Sequence, residues 1–329
     1  MRLLNLRKYA LAIGVGLCLG LSFCGRAFGD DWPTYRYDAG RSGVSPEILP
    51  AELHLRWVRE LAPPLQAWPK SQVKLQFDAG YEPIIAGKLL FLASAATDTL
   101  TACDTDSGRE QWRFYADGPV RFAPAVWEGK VYFVSDDGYL YCLDAQTGDL
   151  RWKFRGGPTD RKLIGNNRVI STFPARGAPV VVDGTVYFAA GIWPFMGIFI
   201  HALDAETGMV CWTESGSGST YTVQQHGSKA FSGVAPQGYL TATKDHLLIS
   251  GGRTLPSCHD RKSGKFLYYF PHLRNFGKDA GDYHVLARGD WFFVHDAMFR
   301  LATGEPICKV PVGLLQQDSV VGPKAMGLE

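Results

Sequence analysis

The chain has 329 residues, 46% hydrophobic and 20% charged, the balance of a soluble globular protein with room for one large domain or two ordinary ones. Four basic and no acidic residues fall in the first 29, which leaves 30 Lys and Arg against 32 Asp and Glu for the remainder. With no Lys/Arg-rich run beyond that point, nucleic-acid binding through a basic surface is excluded.

Taken in order, residues 1–29 stand apart. Arg2, Arg7 and Lys8 precede the uncharged run Ala10 to Phe23, and "AFG" ends at Gly29. This predicts a secretory signal peptide cleaved after Gly29, with membrane contact only through that transient segment. The apolar run is short of the ~20 residues that span a bilayer. The large Phe23 before Cys24 argues against lipidation. Residues 30–80 are expected to be a lead-in segment, 81–312 the main body and 313–329 a tail.

The body is a repeat. "ACDTDSGREQW" (102–112), "CLDAQTGDLRW" (142–152) and "ALDAETGMVCW" (202–212) are three copies, and "CHDRKSGKFLY" (258–268) is a fourth with Tyr268 in the Trp slot. "MFRLATGEPIC" (298–308) is a fifth, with Arg300 for the Asp and Cys308 for the Trp. Before each of the first three lies an apolar strand, a Gly turn and an alternating strand, as in "PAVWEGKVYFVS". Four short strands per repeat predict an all-β protein, a β-propeller of four-stranded blades. The motif residues are Asp104, Gly108 and Trp112; Asp144, Gly148 and Trp152; Asp204, Gly208 and Trp212; and Asp260, Gly264 and Tyr268. The Asp side chain is expected to accept backbone N–H groups of the turn. The Gly takes a positive φ. The Trp, buried, fills the wedge between one blade and the next.

"LRW" at 55–57 repeats "LRW" at 150–152, so Trp57 is expected to lie on an orphan outer strand beside about five blades. The residues after Cys308 show no good three-strand pattern. A shortened seven- or eight-bladed ring, and even a non-functional shortened copy, are therefore among the expectations.

These motifs resemble the tryptophan-docking motif of the pyrroloquinoline-quinone (PQQ) type β-propeller repeat. "DWPTYRYDAGRSG" (31–43) with "LHLRWVREL" (53–61) is similar to the start of its exported bacterial members. The resemblance implies relatives of two kinds: quinoprotein alcohol and sugar dehydrogenases, and non-catalytic propellers such as the lipoprotein of the outer-membrane assembly machinery. It implies for the former a vicinal Cys-Cys disulfide, a Trp floor, and Ca²⁺ held by Glu, Asn and Asp oxygens. No Cys-Cys occurs here, no such set stands in a matching context, and there is no Cys-x-x-Cys-His haem site. No catalytic, metal or cofactor residue is predicted. PQQ with calcium belongs to the alternative reading, a quinoprotein oxidoreductase.

The remaining Cys and His carry little. Cys142 and Cys258 occupy the place of Ala102 and Ala202 and read as small buried hydrophobes. His201, His259 and His295 sit in strand-like runs as structural histidines.

Strand alternation puts three long segments on one face: 155–178, 191–197 and 213–235. Long loops on a rigid scaffold are where function concentrates. The candidate binding face is Arg161, Lys162, Asn166, Asn167, Arg168 and Arg176, with Trp193, Phe195, Tyr221 and His226 beside them. The expected function is an exported, non-catalytic binding or scaffolding module of the cell envelope. Its partner would be another envelope protein or a small ligand.

Overall fold

Period-two alternation of apolar residues, broken at each Gly turn, folds as written. A computed structural model describes residues 31–223, 227–270, 281–310, 314–316, 319–321 and 326–327. The first repeat forms β1 (Ile84–Ala86), β2 (Leu89–Ser94), β3 (Thr99–Asp104) and β4 (Glu110–Tyr115), the second β5 (Ala125–Trp127), β6 (Lys130–Val134), β7 (Tyr139–Asp144) and β8 (Leu150–Arg155). A hairpin, β9 (Lys162–Gly165) and β10 (Arg168–Ser171), leads to the third: β11 (Gly177–Val182), β12 (Thr185–Ala190), β13 (Phe199–Asp204) and β14 (Val210–Glu214). A second hairpin, β15 (Tyr221–Val223) and β16 (Lys229–Phe231), is followed by β17 (Gly238–Tyr239), which pairs in parallel with β11. The fourth repeat is β18 (Thr241–Ala242), β19 (His246–Ile249), β20 (Ser257–Asp260) and β21 (Phe266–Tyr268), and the fifth β22 (Leu286–Arg288), β23 (Trp291–Val294), β24 (Ala297–Arg300) and β25 (Pro306–Lys309).

Within each repeat the four strands hydrogen-bond in sequence order as an antiparallel meander. The third strands are buried along almost their whole length, as β7 is, because a neighbouring blade packs on each face. The fourth strands alternate exposed and half-buried residues, as an outer edge should.

The repeat motif joins blade to blade. Asp144 Oδ1 accepts the N–H groups of Gln146 and Thr147, and Gly148 has φ +75°. A Cβ at Gly148 would come within 2.6 Å of the Trp112 ring, so that position needs glycine for lack of room as well as for its backbone. The pattern repeats round the body. Trp57 lies on Gly108, Trp152 on Gly208, Trp212 on Gly264 and Tyr268 on Gly304. Each aromatic also donates to a carbonyl of the turn it covers: Trp112 to Ala145, Trp152 to Glu206, Trp212 to Arg261 and Tyr268 to Leu301. Trp152 is half-buried and not buried as expected, because it stands on the outer strand β8, where exposed and half-buried residues alternate.

Two expectations at the ends need correction. Trp57 docks like the others, donating to Thr105 at 2.9 Å, but residues 53–61 form no strand: their backbone pairs with no sheet. The tail does hold strands, β26 (Leu314–Gln316), β27 (Ser319–Val321) and β28 (Met326–Gly327), paired in order. Paired apolar residues such as Leu314-Leu315 and Val320-Val321 are too short a pattern to read from sequence.

Residues 32–41 lie on the axis and touch the inner strand of all five blades. Trp32 pairs with Ile85 of β1, and Pro33 accepts from Val126 of β5. Ala39 accepts from Ala242 of β18, and Gly40 from Ala287 of β22. Arg41 completes the set by donating to Pro179 of β11 and Leu240. Its guanidinium is 1% exposed and is held by carbonyls and Thr34, with no carboxylate bonded to it. Burial pulls its pKa down to about 10. Tyr35 of the same segment stacks on Tyr239 at 3.5 Å between centroids. Phe122, itself stacked on Phe77, meets Tyr239 edge-on, so aromatic rings fill the channel.

Candidate functional site

The two faces are distinguishable by their hydrogen bonds. Ala145 donates to Gly129 and Ala205 to Gly184, which places the Asp-x-x-Thr-Gly turns beside the first hairpin turn of each blade. On the opposite side Asp136, between β6 and β7, donates to Pro119 of the inter-blade connection and accepts from Ser171 of β10. The described parts of the long segments meet on this side, where Gly191 donates to Pro174 and Gly218 packs on Ile198.

At the axial mouth of this loop side, the residues that lead into the inner strands converge. Arg121, before β5, bridges Asp78 (2.6 Å) and Asp136 (2.7 Å). Arg176, before β11, makes two 3.0 Å bonds to Asp136. All four are almost fully buried. Burial alone would push the Asp136 carboxyl up, but the two guanidiniums outweigh it and hold it below its ordinary value. Asp78 shares one guanidinium, so there burial wins and its carboxyl is pushed up.

Trp68 caps the cluster. Its indole N–H donates to Gln237 at 3.0 Å, and the Arg176 guanidinium stands 5.5 Å from its ring centroid. Trp193 meets Trp68 edge-on, and Phe195 stacks on Trp193. The β9–β10 hairpin flanks the same segment, since Asn166 donates to Gln66 at 2.8 Å. Asn166 and Asn167 both have positive φ, the two-residue turn suited to a hairpin.

Of the predicted residues, Arg161, Lys162, Asn166, Asn167, Trp193, Phe195 and Tyr221 are exposed on this face. Arg168 is tied down, pairing with Asp98 of blade one and donating to Ala95. Arg176 is not a surface contact: it is 3% exposed, because Asp136 draws it under Trp68. His226 lies outside the described residues, as does the segment 1–30. The central cluster itself, Asp78, Arg121, Asp136 and Trp68, was not anticipated. Its signal was a lone charge inside an apolar run, Arg121 in "PVRFAPAV".

The histidines behave as structure. His201 is bonded to Thr213 and Gly156 and burial lowers it to about 4, while His259 is fully buried between Ser257 and Gly264. His295 differs, being half-exposed and 3.4 Å from Asp282. Cys142 and Cys258 are buried opposite Trp152 and Tyr268, in the register of Ala102 opposite Trp112. Among the described residues no helix is long and apolar enough to cross a membrane.

Blades locked by Trp-on-Gly docking, with the Asp-x-x-Thr/Ser-Gly turn, define the fold as a β-propeller of four-stranded, PQQ-like blades. Residues 55–172 match the family described as outer membrane protein assembly factor BamB. A 142-residue stretch is 32% identical to the dehydrogenase subunit of a quinone alcohol dehydrogenase from Gluconacetobacter polyoxogenes, covering 40% of this chain and 19% of that protein. The 1-butanol dehydrogenase (cytochrome c) of Thauera butanivorans is 29% identical over 205 residues, 56% of this chain and 26% of that one. The quinohemoprotein alcohol dehydrogenase structure from Comamonas testosteroni superposes with a TM-score of 0.54 at 18% identity, over 86% of this chain and 49% of that one. The chain thus spans about a fifth to a quarter of the length of these curated relatives.

A quinone cofactor with calcium would need free cationic groups and a set of oxygen ligands. Here Arg121 and Arg176 are already neutralised by Asp78 and Asp136. The described residues hold no group of three or more His, Cys, Asp or Glu placed for a metal ion, and the sequence has no Cys-Cys. Two buried acceptors, Asp78 Oδ1 and Gln76 Oε1, lack partners, but two oxygens fall short of the six or more that calcium takes. The residues present do not make up the set, so no step is derived through that cofactor.

Proposed function

We propose that the chain is a propeller of the quinoprotein alcohol-oxidoreductase type, the reading that stood second on sequence alone. The observation that carries it is the 32% identity over 142 residues to quinone alcohol dehydrogenase subunits. It rests on that relationship and assigns no residue of this chain to the chemistry. Export to the periplasm or beyond belongs to the same proposal and rests on the character of residues 1–29.

Because the described residues do not make up a PQQ–calcium set, the test is of the class and not of a site: oxidation of ethanol or 1-butanol by the purified chain with PQQ, Ca²⁺ and an artificial dye, above a boiled control, supports the reading. Turnover no higher than that control, from a chain whose circular dichroism shows it folded, overturns the reading.

One observation favours a second, non-catalytic reading. The axial ion pairs satisfy one another, while apolar side chains around them stand in solvent: Ile164 is 80% exposed, Phe195 64% and Trp193 42%. Exposed apolar residues on one face of a soluble protein mark a contact surface. Under this reading an envelope protein or small ligand binds there and the turnover assay stays silent.

A further inference from the structure

The opposite, turn-side mouth of the channel opens into a cleft of about 680 Å³. Its floor is the axial segment, through Thr34, Tyr37 and Asp38, with Asp31 just before that segment, and its walls include Trp127 of β5 and Val181 of β11.

Trp127 is the unusual residue. It is the last residue of an inner strand and pairs with Lys130, where three of the other four blades have Ala86, Val182 and Arg288 in the same register. Blade docking does not explain it. The docking indoles each lie on a glycine of the next blade's motif and donate to its turn. Trp127 instead flanks Gly184, is half-exposed, and its indole N–H has no partner among the described residues. Tyr37, edge-on to Trp32 at 5.4 Å between centroids, lines the same cleft.

The charge of the lining has one sign. It contains two carboxylates and no Lys, Arg or His. Asp31 accepts Gly87 N–H through Oδ1 at 2.7 Å, and its side of the cleft is exposed. Asp38 accepts both the N–H and the hydroxyl of Ser42. Arg41 is buried behind the floor with its guanidinium committed to carbonyls and Thr34, and Lys130, cross-strand from Trp127, is taken up by Glu206. Arg41 offsets Asp38 in part and leaves Asp31 unbalanced.

Aromatic faces beside unbalanced carboxylates attract cations with apolar substituents, since ring quadrupole and carboxylate charge act together. We propose that this cleft binds an organic cation, an alkylated ammonium, between Trp127, Tyr37 and Asp31. A neutral alcohol of the same shape lacks the charge and loses both attractions. An anion meets two carboxylates and is repelled.

Calorimetric titration of the full chain at low salt with choline, and with its neutral isostere 3,3-dimethylbutan-1-ol, tests this. Choline should bind at least about tenfold more tightly than the alcohol. Asp31→Asn and Trp127→Leu should each weaken choline about fivefold or more, with melting temperatures near wild type, because both side chains stand at the rim of the core. Equal affinity for choline and the alcohol, no choline binding, or binding unchanged in both variants would overturn the proposal. If Trp127→Leu lowers the melting temperature, Asp31→Asn alone decides, since Asp31 is exposed.

Discussion

Asp136→Ala should destabilise the protein by about 3–5 kcal/mol, the cost of leaving a buried charge without its partner. Removing this carboxylate strands two guanidiniums, Arg121 with only Asp78 and Arg176 with none in the cluster. Both are almost fully buried, so water cannot stand in for the lost acceptor. Chemical denaturation should show a midpoint far below wild type at unchanged slope. The pH dependence follows from the direction of the shift. Asp136 has its pKa depressed in the folded state, so its contribution is fully present above its unfolded value of ~3.9 and is lost as pH falls through the lower folded value. Asp78 acts with opposite sign: its raised pKa means that ionisation costs stability, and protonation relieves that cost. The acid limb of the wild-type stability curve should therefore be shallower in Asp136→Ala.

Trp152→Ala should cost about 3 kcal/mol, the low end for removing a packed Trp. The low end applies because the ring is half-buried, yet it covers Gly208 and donates to Glu206 at 3.1 Å. The converse change tests the same contact. At Gly208→Ala the new methyl would lie 2.7 Å from the Trp152 ring, on a residue with φ +72°. Strain of that kind costs on the order of 1–3 kcal/mol. Its steric part disappears when Trp152 is already gone, so the double variant should lose less than the sum of the two. Strict additivity in melting experiments would mean that the two residues do not touch.

The blades were legible because their information is local. An Asp, a Gly and a Trp at fixed offsets specify a turn, and alternation specifies which side chains face a neighbour. Glycine's second role, making room for an indole from the preceding blade, was hidden, since the two residues lie 36 to 56 positions apart in the pairs Trp112–Gly148 and Trp152–Gly208. The axial segment was legible only as a resemblance. That Pro33, Ala39 and Gly40 offer carbonyls to three different blades depends on Arg36, Tyr37 and Arg41 adopting positive φ, which no residue type there announces. Of the candidate face, Trp193 and Phe195 were found because loop length points to exposure. Arg176 was misplaced because a charge in a loop looks solvated until its partner, Asp136 some forty residues away, is known.

Everything proposed for either mouth depends on residues 32–41 lying on the axis and pinning five inner strands. Native-state hydrogen exchange at Val126, Ala242 and Ala287 measures this directly, because each amide donates to a carbonyl of that segment. The account predicts that all three exchange only through global unfolding, as slowly as the amides of β6 and β7. Fast exchange at these three positions, with β6 and β7 still protected, would place the segment off the axis and contradict it.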